Sequence, residues 1–178
     1  MSNKLGNTIV KEILDWIYAI ALALIIAMVI HIFLIQPTRV SGESMDDTLH
    51  NGQYLIVTKW HHIMNDMPEY GQIVIIDSRV NRVRTWVDDV KEPLMNYASV
   101  FNKSAQINDV WVKRVIGRPG DVLEFKDGYV WRNGEKLQEP YTKDTKMNYT
   151  RSTPVTVPEG HVFVMGDNRN HSSDSRFI

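Results

Sequence analysis

The apolar positions of the chain fall into two regimes. From Trp16 to Ile35 the sequence reads WIYAIALALIIAMVIHIFLI, a run whose only ionisable member is His31. At about 1.5 Å per residue a helix of this length covers about 30 Å, the hydrocarbon thickness of a bilayer. Trp16 and Tyr18 stand at one end, where amphipathic rings favour the headgroup level. A cleaved leader competes with this reading, because small residues such as Ala19 and Ala21 lie inside the run. A leader's apolar region is shorter, however, and this one continues past the alanines without a polar cleavage region. The pattern predicts a retained membrane anchor over 16–35, preceded by a polar segment, 1–15. Lys4, Lys11 and the terminal amine precede the span, and only Arg39 follows it closely. That bias predicts a single-pass protein of the cell membrane, with 1–15 cytoplasmic and 36–178 extracytoplasmic.

Beyond the span the apolar runs are short: Tyr54–Val57, Ile73–Ile76, Val110–Ile116, Val122–Phe125, Tyr129–Trp131 and His161–Met165. β-Branched and aromatic residues dominate them. Turn dipeptides separate them, namely Asn51-Gly52, Pro119-Gly120, Asp127-Gly128, Asn133-Gly134 and Glu159-Gly160. This predicts a mainly β domain built from hairpins, the clearest pairing 122–125 with 129–132 around Asp127-Gly128. Residues 80–108 are polar, of mixed charge and without a clean period, which reads as a surface excursion with a short helix near Pro93–Val100.

Charge narrows the function. With 20 basic and 21 acidic residues in 178, the net charge of -1 makes no electrostatic case for nucleic acid as a partner. The chain has no cysteine, which excludes a disulfide scaffold, a thiol nucleophile and Cys-ligated metal. His61 and His62 are adjacent, so on a strand their rings point opposite ways, and no carboxylate is suitably spaced beside them. No metal and no cofactor are predicted.

Three segments carry candidate chemistry. In Ser41-Gly-Glu-Ser-Met45 a serine follows Gly42 in a turn, which exposes a hydroxyl and leaves backbone N–H groups free for an oxyanion. No helix-forming run follows Met45, so this is not a G-x-S-x-G elbow. In Trp111-Val-Lys-Arg-Val-Ile-Gly-Arg-Pro-Gly-Asp121, strand alternation puts Lys113 on the face of Trp111 and Val115, with Arg114 opposite. A lysine on an apolar face either snorkels to water or is buried with a depressed pKa, and a neutral lysine can act as general base for a serine. Gly166-Asp-Asn-Arg-Asn-His-Ser-Ser-Asp-Ser-Arg176 reads as a hydrogen-bonded loop, able to orient a buried amine.

In this order the motifs resemble the type I signal peptidases, membrane-bound serine proteases with a Ser/Lys dyad. The resemblance spans the anchor, the Ser-Met box, Gly-x-Ile-Val at Gly71–Val74, Lys-Arg-Val-Ile-Gly-x-Pro-Gly-Asp, and Gly-Asp-Asn-Arg-x-x-Ser-x-Asp-Ser-Arg. The single anchor and short domain are similar to the Gram-positive form. The resemblance implies Ser44 as nucleophile, Lys113 as general base, and Ser172 as the hydroxyl that bonds the lysine. It implies a structural pair of Asp174 and Arg176, and a supporting pair of Asp167 and Arg114. It places the oxyanion at the Ser44 N–H, with Gly42 where some relatives add a serine hydroxyl. The implied substrates are signal peptides of exported preproteins, cut after small residues at the first and third positions before the bond. Val40, Met45, Trp111 and Val112, beside the dyad, are expected to line shallow substrate pockets, with the lipid bilayer as the other partner.

Two departures stand out. The family box Ser-Met-x-Pro-Thr is here Ser44-Met45-Asp46-Asp47-Thr48, so a proline that would pre-set φ becomes a carboxylate. A carboxylate near Lys113 would raise its pKa, so Asp47 is expected to face solvent. The family also continues past the point, two residues after Arg176, where this chain stops, which suggests a truncated chain. Three other readings compete. A Ser-His-Asp triad would use His171 with Asp167 or Asp174, but lacks an elbow. The self-cleaving SOS repressors share the dyad but not the membrane span. An inactive anchored relative that binds exported peptides would ordinarily lack the serine or the lysine.

Overall fold

The structure is a computed structural model and describes residues 2–59, 64, 66–77, 85, 87, 88, 91 and 110–178. Its first element is helix α1, Ser2–Phe33. No proline interrupts the chain before Pro37, and the residue preceding a proline is pushed from helical to extended backbone, which suits the exit from α1 at this point. The chain therefore leaves the helix after Phe33 and enters strand β1, Ile35–Arg39. Ile35, expected as the last residue of the span, belongs to that strand. The apolar stretch long enough to cross a bilayer is Ile9–Ile30, 22 residues with a mean hydropathy of 2.6. None of it is buried by the rest of the chain. A helix that is apolar all round and packs on no protein core is matched to an apolar solvent.

The remainder is β. Strand β1 pairs antiparallel with β2, Tyr54–Thr58, with Pro37 opposite Ile56. A second sheet joins β3, Ile73–Asp77, to β4, Val110–Gly117, and β4 to β9, Phe163–Met165. A third has the order β7-β6-β5-β8, from β5, Val122–Lys126, β6, Tyr129–Arg132, β7, Glu135–Lys136, and β8, Arg151–Thr156. The turns are those the dipeptides predict. Asp127 and Gly128 have φ of 58° and 82°, and Asn133 and Gly134 have 54° and 83°, the paired positive values of type I′ hairpins. Leu123, Phe125 and Val130 point from these hairpins into the main core with Ile116, Met147, Val157, Phe163 and Met165. A smaller cluster of Val40, Met45 and Leu49 packs against Leu55, Ile73 and Val112.

The predicted run 161–165 shortens to Phe163–Met165, because His161 turns back, its N–H donating to the Pro158 carbonyl. The segments 35–39, 135–136 and 151–156 carried no strand signal. All three are outer strands of their sheets, mostly exposed, so burial imposes no alternation on them. The helix expected near Pro93–Val100, most of the excursion 80–108, and His61 and His62 lie outside the described residues.

One irregularity matters for the site. β4 is paired along Val110–Arg114 by β3, but β9 pairs only with its later part, from Arg114 to Gly117. On that side Val110–Lys113 has no strand partner among the described residues. The N–H of Val115 donates to Gln72 and its C=O accepts from Gly71, both toward β3. Alternation then directs the N–H and C=O of Val112 to the open side.

Candidate active site

The serine turn is held from below by packing. Val40 bonds Gln53 and Gly52, which closes the neck of the β1–β2 connection, and Met45, 2% exposed, sits with Leu49 in the smaller cluster. Ser44 precedes the buried Met45 and is fixed by it. Gly42 has φ of +96° with nothing near the place of a Cβ, so its requirement is backbone conformation and not space. Among the described residues the Ser44 N–H meets no acceptor.

Lys113 comes to the same point from β4. Its Nζ lies 2.7 Å from Ser44 Oγ, and the residue is 4% exposed. Burial pushes the amine pKa down from 10.5. Asp174 and Asp167 oppose this and Arg176 adds to it, yet burial dominates because neither carboxylate bonds the amine directly. The choice between a snorkelling and a buried lysine is thus made in favour of burial.

The loop after β9 builds the surroundings. Asp174 takes the Arg176 guanidinium through Nε at 2.8 Å and Nη2 at 2.9 Å, and accepts the Gly166 N–H and the Ser172 hydroxyl at 3.0 and 2.7 Å. Burial alone would raise its carboxyl, but these donors outweigh it and hold it below 3.8. The hydrogen bond of Ser172 thus goes to Asp174, while the lysine's goes to Ser44. Asp167, fully buried, grips Arg114 bidentately at 2.8 and 2.6 Å and accepts the Thr48 hydroxyl at 2.6 Å. Gly166 leaves no room for a side chain: a Cβ there would meet Ser172 and the Ser44 carbonyl.

Several contributors went unread in the sequence. Asn168 clips the serine turn, its N–H donating to the Ser44 carbonyl and its Nδ2 to the Glu43 carbonyl, both at 3.0 Å. Arg169 pairs bidentately with Glu139 at 2.8 and 2.7 Å. Both lay inside the loop motif, but nothing local marks the Glu43 and Ser44 carbonyls or Glu139 as their partners, nor Thr48 as a partner of Asp167. Val40 and Met45 are core residues under the serine, whereas Trp111 and Val112 keep part of their surface free. His171 is exposed and its ring approaches Asn168 at 3.3 Å, so the triad reading finds no support in its position. The Asp47 side chain is 73% exposed, facing solvent.

The arrangement joins an uncharged-prone amine, a hydroxyl within its reach and a free backbone N–H, the parts an acyl transfer to serine needs. Comparison with known proteins agrees in kind. The family described as signal peptidase, peptidase S26, matches residues 13–178. Signal peptidase I of Bacillus licheniformis is 36% identical over 93% of this chain and 79% of its own length. Signal peptidase I T of Bacillus subtilis (strain 168) is 34% identical over 92% and 75%. Signal peptidase IB of Staphylococcus aureus (strain COL) is 32% identical over 93% and 81%. With nearly its whole length matched and its motifs assembled around one serine, this chain belongs to the signal peptidase family, peptidase S26.

Proposed function

We propose that the chain is a membrane-anchored serine endopeptidase that removes N-terminal signal peptides from exported preproteins, with Ser44 as nucleophile and Lys113 as general base. The observation that carries this reading is the 2.7 Å approach of a buried lysine to the serine hydroxyl. Neutral Lys113 takes the proton of Ser44 as its oxygen attacks the scissile carbonyl. The oxyanion forms against the Ser44 N–H. The lysine then gives its proton to the leaving amine, and water resolves the acyl-enzyme by the same route.

The open side of β4 suits an extended substrate, which would add a strand there and bond the Val112 peptide. Side chains of such a strand alternate, so those of the first and third residues before the bond face the enzyme together. Packed surroundings at Val40, Met45, Trp111 and Val112 favour small residues at both positions. The apolar helix α1 supports anchoring beside a substrate that is itself membrane-borne, and the relatives' common name supports the substrate class.

The 178-residue chain in detergent, incubated with a preprotein, should release the mature form. Ser44→Ala should release none, and cleavage by that variant would overturn the nucleophile assignment.

A further inference from the structure

Residues 137–150, between β7 and β8, run alongside the site, and alternate side chains of one stretch each take hold of a different part of it. Glu139 pairs with Arg169. Tyr141 donates to Glu139 at 3.0 Å and lies against Arg114, whose guanidinium carbon is 4.0 Å from the ring centroid. The Lys143 backbone N–H donates to the Asp167 carbonyl at 3.2 Å. Its Nζ reaches Asp46 at 3.3 Å and Asp47 at 3.7 Å, the residues two and three positions after Ser44.

We propose that Lys143 is a positioning residue for Ser44: held by the 139–143 strap, its ammonium clamps Asp46 and Asp47 and so fixes the serine turn against Lys113. This inference rests on the assignment of Ser44 as nucleophile. The turn carries three carboxylates within five residues, Glu43, Asp46 and Asp47, whose mutual repulsion favours opening. It has no proline to limit φ. Met45 and Leu49 anchor it by packing, Lys113 and Arg114 of β4 bond Ser44 and Thr48, and Asn168 and Asp167 hold it from the loop after β9. Lys143 adds a tether from the 139–143 strap, at the acidic end. An exposed ion pair contributes little to global stability, so stability alone gives the contact no purpose. Rate is far more sensitive, since displacing reacting atoms by about 1 Å costs on the order of 100-fold.

The test uses the 178-residue chain in detergent with a preprotein substrate, measuring kcat, KM and Tm at low and high salt. Lys143→Gln should lower kcat about tenfold while KM and Tm stay put, because the defect is in nucleophile placement. Lys143→Glu should do worse, and combining it with Asp46→Lys should restore kcat to within about threefold of the parent by re-forming the pair with reversed sign. High salt should slow the parent and leave Lys143→Gln unchanged. Unchanged kcat in Lys143→Gln, or a loss that the charge swap does not recover, overturns the clamp. Ser44→Ala is the companion control. If it is inactive while Lys143→Gln is unimpaired, the clamp alone fails; if it still cleaves, the nucleophile assignment fails first.

Discussion

Two buried cations, Lys113 and Arg176, show how partners decide chemistry. They are 4% and 5% exposed. Arg176 has a bidentate carboxylate; Lys113 has a serine hydroxyl, and burial drives it toward neutrality. Because its pKa is lowered in the folded chain, the unfolded chain binds more protons between that value and 10.5. Stability therefore rises with pH across that window and is lost as pH falls through the folded value. Rate should rise through the same folded pKa, giving an alkaline optimum for kcat. Lys113→Met should be inactive and should lose the pH-linked rise in Tm. An optimum below about pH 6 would contradict the lysine assignment. Asp174 has linkage of the same sign in an acid window, with stability present above 3.8 and lost as pH falls through its depressed folded value. Asp174→Asn leaves Arg176 buried without its counter-charge and should cost about 3–5 kcal/mol in denaturant unfolding. His171→Ala, at an exposed ring, should retain most activity; a folded but inactive variant would revive the triad.

Strand β4 carries Lys113, the proposed general base, and beside the short β9 its residues Val110–Lys113 have no strand partner among the described residues. If substrate docks there as a strand, Ala→Leu in a signal peptide should be damaging at the first and third positions before the cut and tolerated at the second. Equal cleavage of all three peptides would sink the pairing model. The turn from β9 into the loop is as demanding. Gly166→Ala would drive a methyl to 2.6 Å from the Ser172 Cβ and into the Ser44 carbonyl. Its expected signature is a fall in kcat on the order of 100-fold, since the atoms displaced are those beside Ser44, the proposed nucleophile. In the core, Leu123→Ala should lower stability by about 2–5 kcal/mol while leaving the Ser44–Lys113 geometry in place.

For the molecule as a whole, the helix ends at Phe33 and β1 begins at Ile35, with the Lys59 N–H donating to the Leu34 carbonyl at the junction. Little slack separates α1 from the domain. Ser44 lies eleven residues beyond Phe33, at most about 36 Å of extended chain. If α1 lies in the bilayer with the domain outside, the proposed nucleophile Ser44 would stay near the outer leaflet, and confinement with a membrane-borne substrate would raise effective concentration. A form lacking residues 1–33 should cleave short soluble peptides as the full chain does but process membrane-embedded preprotein poorly. Equal rates on the embedded substrate would reduce the helix to an address.

What was legible in the residue order was what local interactions settle. The apolar run of α1, five turn dipeptides and six strands could be read because burial and backbone conformation act over a few neighbouring residues. The outer strands at 35–39 and 151–156 were not, since an exposed edge leaves no alternation to read. The meeting of Ser44 with Lys113 was legible only through motifs that resemble a family, for the two are 69 positions apart and alternation alone left the lysine free to snorkel. Beyond motifs the order of residues was silent. Thr48 meets Asp167 across 119 positions, Lys143 meets Asp46 across 97, and Glu139 meets Arg169 across 30. A carboxylate carries no mark of which guanidinium it will face. That choice follows from sheet register and from which loops close over the serine turn, and it exists only once the three sheets have packed.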